Sequence, residues 1–137
     1  MALRILVADD NKNLRDELRI LLNSRHDWRV VGEAVDGHEA VEKAADLQPD
    51  VVILDYSMPK LDGLSAIPMI RKHAPATEIV VLTVHDAPAT VDRAIKAGAR
   101  GYVVKTWIIR NLVSAIEAVS EHKTFVGLTS QGEASKG

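Results

Sequence analysis

Val51-Val52-Ile53-Leu54-Asp55 decides how the chain is read. Four aliphatic residues in succession, three of them β-branched, predict a strand buried on both faces. The run ends on an acid, and the turn-forming residues Ser57, Met58, Pro59 and Asp62-Gly63 follow it. A carboxylate therefore stands where a buried strand emerges into a loop. In an open parallel α/β sheet, ligands bind outside the carboxyl ends of the strands. Leu3 to Ala8 repeats the arrangement and runs into Asp9-Asp10, so two strands deliver three carboxylates to one edge.

Working outward, the pattern alternates strand and helix. Leu14, Leu18, Leu21 and Leu22 form an amphipathic stripe, with Asn11 or Asn13 as its cap and Arg15, Asp16, Glu17 and Arg19 on the opposite face. Asp27 to Ala34 reads as a strand near the sheet edge, and Ala40, Val41, Ala44 and Ala45 mark a second helix that ends before Pro49. Leu64, Ile67 and Ile70 give a third helix, with Pro68 placed within about its first turn. Glu78 to Thr83 is a fourth strand; Asp86 is the expected cap and Pro88 the start of the helix after it, which Gly98 ends. Gly101 to Val104 is a short fifth strand ending at Lys105, and Ile109, Leu112, Val113, Ile116 and Val119 stripe a fifth helix, against which Phe125 packs. Gly127 to Gly137 has little to bury and reads as a flexible tail or linker.

Five strands alternating with five helices predict a doubly wound five-stranded parallel sheet, a (βα)5 flavodoxin-like α/β fold. Right-handed crossovers with helices on both faces favour strand order 2-1-3-4-5. Strands one and three then flank the topological switch point, which gathers Asp9, Asp10 and Asp55, and strands four and five bring Thr83 and Lys105 to the same edge.

Composition narrows the function. The 137 residues suit one domain, and a net charge of −2 gives no bulk electrostatic case for nucleic acid. The absence of cysteine excludes disulfides, thiolate catalysis and Cys-ligated metals. No apolar run approaches the ~18 residues of a membrane span, and Met1 leads straight into a strand, so a cytoplasmic protein without membrane attachment is the expectation.

Three carboxylates in one pocket repel: at ~4 Å and an effective dielectric of ~20, each pair costs roughly 4 kcal/mol. A proton or a cation must relieve that. An all-oxygen donor set in a shallow site suits Mg²⁺ with waters retained. With a lysine ammonium and a threonine hydroxyl on the other side, such a pocket clamps the oxygens of a phosphoryl group in transfer, and the carboxylate can itself be the nucleophile. Taken singly, Asp9-Asp10 also reads as a solvated turn or cap, Thr83 as a strand-end filler and Lys105 as an exposed loop lysine. The joint placement of all five at strand ends is what argues for a site.

Over residues 2 to 126 the chain resembles a response regulator receiver domain of two-component signalling. The matching pieces are Val7-Ala8-Asp9-Asp10, Leu54-Asp55-Tyr56-Ser57-Met58-Pro59, Asp62-Gly63, Leu82-Thr83 and Ala97-Gly98-Ala99-Arg100-Gly101-Tyr102-Val103-Val104-Lys105. Leu82-Thr83-Val84-His85-Asp86 and Gly101-Tyr102 are similar to the NarL/FixJ-type subfamily, which carries a LuxR-type helix-turn-helix output domain. The resemblance implies that Asp55 is the phosphoacceptor. It implies Mg²⁺ on Asp10, Asp55 and the Ser57 carbonyl, with Asp9 acting through a water. Lys105 and Thr83 contact the phosphoryl group, Thr83 and Tyr102 switch with it, and Ser57 and His85 tune dephosphorylation. The implied partner is a sensor histidine kinase, and the chain catalyses only its own phosphorylation and dephosphorylation. The implied division is a receiver over 1–126 and a linker over 127–137 toward an output domain, through which alone DNA would be bound.

The sequence departs from the family after Lys105, where Thr106-Trp107-Ile108-Ile109 is unusually apolar for a helix start. Trp107 either folds back on the core or anchors a phosphorylation-dependent homodimer; a contact through the first and fifth helices would leave it out. Two other functions compete. A haloacid dehalogenase-like phosphohydrolase wants a second acid where Ser57 stands. An FMN binder wants a phosphate cradle where Asp9 to Asn13 is acidic.

Overall fold

A computed structural model describes residues 2–136. The elements in chain order are β1 (Leu3–Ala8), α1 (Lys12–Asn23), β2 (Trp28–Ala34), α2 (Gly37–Leu47), β3 (Val51–Asp55), α3 (Gly63–His73), β4 (Glu78–Thr83), α4 (Pro88–Ala97), β5 (Gly101–Val104), α5 (Ile108–Ser120), β6 (Lys123–Gly127) and β7 (Glu133–Lys136). The sheet order is β2-β1-β3-β4-β5-β6-β7, parallel throughout except for the antiparallel β6–β7 pair. The expected 2-1-3-4-5 order is thus present, extended at one edge by two strands.

Period-two alternation splits the strand side chains between two helical layers. Leu6, Val52, Leu54, Val81 and Tyr102 pack with Val41, Ile67, Ile70 and Ala94 from α2, α3 and α4. Ile5, Val7, Ile53, Val80 and Leu82 pack with Leu18, Leu22, Leu112, Ile116 and Val119 from α1 and α5. β3 is buried at every position, as a strand covered on both faces must be. Among the described residues no helix is long and apolar enough to cross a membrane.

Several local expectations change. Asn11, not Asn13, caps α1, accepting from the Leu14 amide at 3.2 Å. Pro68 lies inside α3 rather than in its first turn. Asp86 caps nothing: α4 starts after Ala87 without a side-chain cap, and Pro88 alone, with its preset φ and missing N–H, opens it. A 3₁₀ turn over Lys105–Trp107 precedes α5. Ile109 points to solvent at 74 % exposure although Leu112, Ile116 and Val119 of the same stripe are buried: the inward face of α5 is centred on Leu112, Ala115 and Val119, so Ile109 falls at its margin and Asn111 takes an inward place.

Of the segment expected to be a tail, Glu133–Lys136 pairs with β6, and Gly137 lies outside the described residues. The buried Asn111 amide accounts for the pairing. Its Nδ2 donates to the Thr129 carbonyl at 2.6 Å and its Oδ1 accepts from the Gly132 amide at 3.2 Å, fixing the turn between β6 and β7. Gly127 lies so close that a Cβ there would sit 2.7 Å from Asn111 Nδ2. At the opposite end of the sheet, buried Glu78 collects Arg71, Arg100 and His122, which ties α3, the entry to β5 and the α5–β6 corner together. Burial would raise the Glu78 pKa, but these three partners outweigh it and hold the carboxyl below the usual range.

Candidate phosphoacceptor site

The site follows from strand register. Ala8 pairs with Leu54, Asp55 with Leu82 and Thr83 with Val104, so β1, β3, β4 and β5 end level. The residues at or just past those ends, Asp9, Asp10, Asp55, Thr83 and Lys105, consequently share one edge. Asp9, Asp10 and Asp55 each offer a carboxylate oxygen, all within 4.8 Å of one another. Asp9 and Asp55 are buried, at 1 % and 4 % exposure, while Asp10 is exposed.

Lys105 Nζ lies 3.1 Å from Asp9 Oδ2 and 3.2 Å from Asp55 Oδ1. The Ser57 amide donates to Asp55 Oδ1 at 3.3 Å, and the Asn11 amide donates to Asp9 Oδ1 at 2.9 Å. Asp9 Oδ2 has no hydrogen-bond partner apart from this ion-pair contact. The loop after Asp55 is held by Tyr56 N to Leu82 O at 2.8 Å and Gly63 N to Tyr56 O at 2.9 Å. Only glycine fits at 63, since a Cβ there would come within 2.1 Å of the Asp55 carbonyl oxygen.

These surroundings set the charges. Burial, and then the neighbouring Asp9, push Asp55 up to about 6, against the opposing pull of Lys105. Burial alone would lower Lys105, but the two carboxylates outweigh it and raise its pKa. A raised carboxyl means that the charged site is electrostatically unsatisfied at neutral pH.

Thr83, buried at the end of β4, is engaged by the chain beside it: its Oγ1 accepts from the His85 amide at 3.0 Å. Tyr102 is fully buried and its phenol donates to the His85 carbonyl at 2.7 Å. Burial raises the Tyr102 pKa, and the Thr83 hydroxyl opposes that rise. The His85 ring stands edge-on to Tyr56, with centroids 5.6 Å apart. Thr83, His85 and Tyr102 thus form one linked group beside the acid pocket. Trp107, 37 % exposed, belongs to neither core cluster. One residue near the site escaped the sequence reading. Arg15, placed there on the outer face of α1, is largely buried and donates to the Asp9 carbonyl at 2.8 Å. Its charge is what concealed it.

A family model, the response regulator receiver domain, matches residues 5–117. The chain belongs to that family. It is 38% identical over 121 residues to the chemotaxis protein CheY of Thermotoga maritima, covering 88% of this chain and 100% of that protein. It is 36% identical over 127 residues to the oxygen regulatory protein NreC of Staphylococcus epidermidis, covering 92% of this chain and 58% of the relative. Thus the chain spans little more than half the length of that regulator. Among solved structures, a LuxR-family two-component response regulator from Aurantimonas sp. SI85-9A1 superposes with a TM-score of 0.83 at 36% identity, over 88% of this chain and 86% of that one. The chain is a receiver domain of phosphorylation-dependent two-component signalling, and the haloacid dehalogenase alternative is set aside.

Because Asp55 is an acid held near 6 among other acids, removing its charge should stabilise the fold. At pH 7 the unrelieved charge is worth on the order of 2 kcal/mol. Asp55→Asn is expected to melt several degrees higher than the natural chain in metal-free buffer, measured by circular dichroism. A lower melting temperature would mean that the ion pair with Lys105 stabilises more than the acid cluster destabilises.

Proposed function

We propose that Asp55 is the phosphoacceptor, and the observation that carries this is its position at the end of β3, in ion-pair contact with a lysine shared with Asp9. The donor set fits a hard divalent cation: it is all oxygen, it converges, and Asp9 Oδ2 is a buried acceptor with only an ion pair to satisfy it. Asp10, Asp55 and the Ser57 carbonyl would hold Mg²⁺ directly, with Asp9 acting through a water. When bound, Mg²⁺ supplies positive charge to the pocket and to the phosphoryl oxygens.

The chain's own residues do the rest. A carboxylate oxygen of Asp55 forms the bond to phosphorus while the phosphorus–nitrogen bond of a sensor kinase's phosphohistidine breaks. The electron pair stays on the imidazole nitrogen, which takes up a proton. Lys105, now shared between two carboxylates, pairs with a phosphoryl oxygen, and the Thr83 hydroxyl leaves the His85 amide to donate to another. Because Tyr102 bonds the His85 carbonyl, the movement of Thr83 is passed to β5. Ser57 and His85, two residues past Asp55 and Thr83, tune the lifetime of the acyl phosphate. The domain acts on no other substrate than its own phosphoryl group.

In the whole protein, residues 1–126 act as the receiver and the chain beyond leads toward an output domain, a helix-turn-helix that binds DNA, in the cytoplasm. The switched face, with Trp107 exposed on the turn after β5, serves as a phosphorylation-dependent homodimer contact.

Incubation with acetyl phosphate and Mg²⁺ should add one phosphoryl group to the natural chain, detected by intact mass, and none to Asp55→Asn. Labelling of that variant would move the acceptor to another acid. Sedimentation with beryllofluoride and Mg²⁺ should show self-association that Trp107→Ala weakens; equal association in both chains would remove Trp107 from the contact.

A further inference from the structure

Arg15 is a largely buried cation that the phosphoryl chemistry above does not use. Its side chain is 12 % exposed, and its guanidinium spans two acceptors. Nη1 donates to the Asp9 backbone carbonyl at 2.8 Å, and Nε donates to Glu33 Oε1 on β2 at 3.1 Å. Glu33 is itself fixed: its Oε2 accepts from Arg19 Nη1 at 3.0 Å, and its backbone carbonyl accepts from Lys43 Nζ. The guanidinium is therefore a brace between a rigid point on the sheet and the first acidic residue of the pocket.

The braced peptide is the one that aims the acids. The Asp9 amide donates to the Ala34 carbonyl at 3.0 Å, and the Asp9 carbonyl is taken by Arg15, so both sides of the residue are tied to β2 or its partners. The Asp9 carbonyl belongs to the peptide that leads into Asp10. Asp10 is exposed, so the orientation of that peptide decides where its carboxylate is delivered. The Asn11 amide, next along, closes on Asp9 Oδ1 at 2.9 Å, and the Asn11 carbonyl receives the Arg15 amide at 3.0 Å as α1 begins. Arg15 thus returns from the first turns of α1 to hold the loop that precedes it.

We propose that Arg15 is a positioning residue for the acid pocket, acting through the Asp9 carbonyl to hold Asp9 and Asp10 where they bind a divalent cation. The inference rests on the Mg²⁺ and phosphoacceptor reading above. It separates from a plain charge effect by sign. Removing a nearby positive charge should, by Coulomb attraction alone, tighten binding of a cation. Removing a brace should loosen it, because residues that orient metal ligands typically change affinity by roughly tenfold or more. Lysine keeps the charge and most of the stem but lacks the rigid planar fork that holds two acceptors at once.

The test is a MgCl₂ titration of the natural chain followed by backbone amide resonances, with the same titration of Arg15→Met, Arg15→Lys and Arg19→Ala. Arg19 touches Glu33 and Asp16 but not Asp9, so its loss acts only through the Glu33 anchor and should weaken Mg²⁺ binding less than Arg15→Met does. Arg15→Met is expected to bind Mg²⁺ about tenfold more weakly, and Arg15→Lys to fall between it and the natural chain. Initial rates of labelling by acetyl phosphate should fall in the same order. Mg²⁺ binding by Arg15→Met that equals or exceeds that of the natural chain would overturn the proposal. Should Arg15→Met fail to fold, unchanged affinity in Arg15→Lys would do the same. Absence of saturable Mg²⁺ binding by the natural chain would defeat the metal reading itself, and the role of Arg15 with it.

Discussion

Lys105 Nζ stands 3.1 Å from Asp9 and 3.2 Å from Asp55, one ammonium between two carboxylates that the fold has taken out of water. Burial first, and then the charge of Asp9, raise Asp55 to about 6, more than one shared ammonium offsets. This buried, incompletely compensated charge is the constraint around which the rest of the edge is arranged. Level strand ends put the acids together, and Gly63 lets the loop after Asp55 pass against its own carbonyl. The Ser57 and Asn11 amides supply neutral donors where a second cation would otherwise be needed. A pocket prepared in this way gains from anything that adds positive charge near Asp55.

The same edge is joined to the far side of the sheet by short physical links. Thr83, His85 and Tyr102 are hydrogen-bonded to one another beside the acids. Tyr102 lies in β5, where it pairs with Val126 of β6, and the 3₁₀ turn after β5 runs directly into α5. α5 in turn carries Asn111, which holds the turn between β6 and β7. A change at the acid pocket therefore has a continuous packed route to the chain's last described strand. A ligand moves such a route only by the contacts it makes differently in two states, and under the proposed phosphorylation of Asp55 those would be the contacts of Lys105 and Thr83.

Much of this was legible in the sequence, because the buried strands are nearly pure aliphatic runs and their polar ends fall at the functional edge. Val51 to Asp55 and Leu3 to Asp10 carry both the fold and the acids. The features that were not legible share a cause: polar or charged residues that do structural work. The turn leading into β7 is fixed by the buried amide of Asn111, which looks like a surface residue in a helix pattern. Arg15 reads as part of a solvated helix face, yet its guanidinium is spent on the Asp9 carbonyl and Glu33. Ile109 departs for a different reason: it belongs to α5 but lies at the margin of the face that buries Leu112, Ala115, Ile116 and Val119.

The charge state of Asp55 in the folded, metal-free chain is the most direct thing to measure. Titration of the carboxyl carbon of Asp55 by ¹³C NMR should give a midpoint near 6, well above the ordinary aspartate value. The sign of the linkage follows: relative to an ordinary aspartate, the stabilisation from Asp55 is present below the unfolded pKa and is lost as pH rises through the folded one. Added Mg²⁺, a positive charge beside the carboxylate, should move the midpoint down. A midpoint at the ordinary aspartate value, unmoved by Mg²⁺, would contradict the picture of a buried acid cluster left unsatisfied by a single lysine.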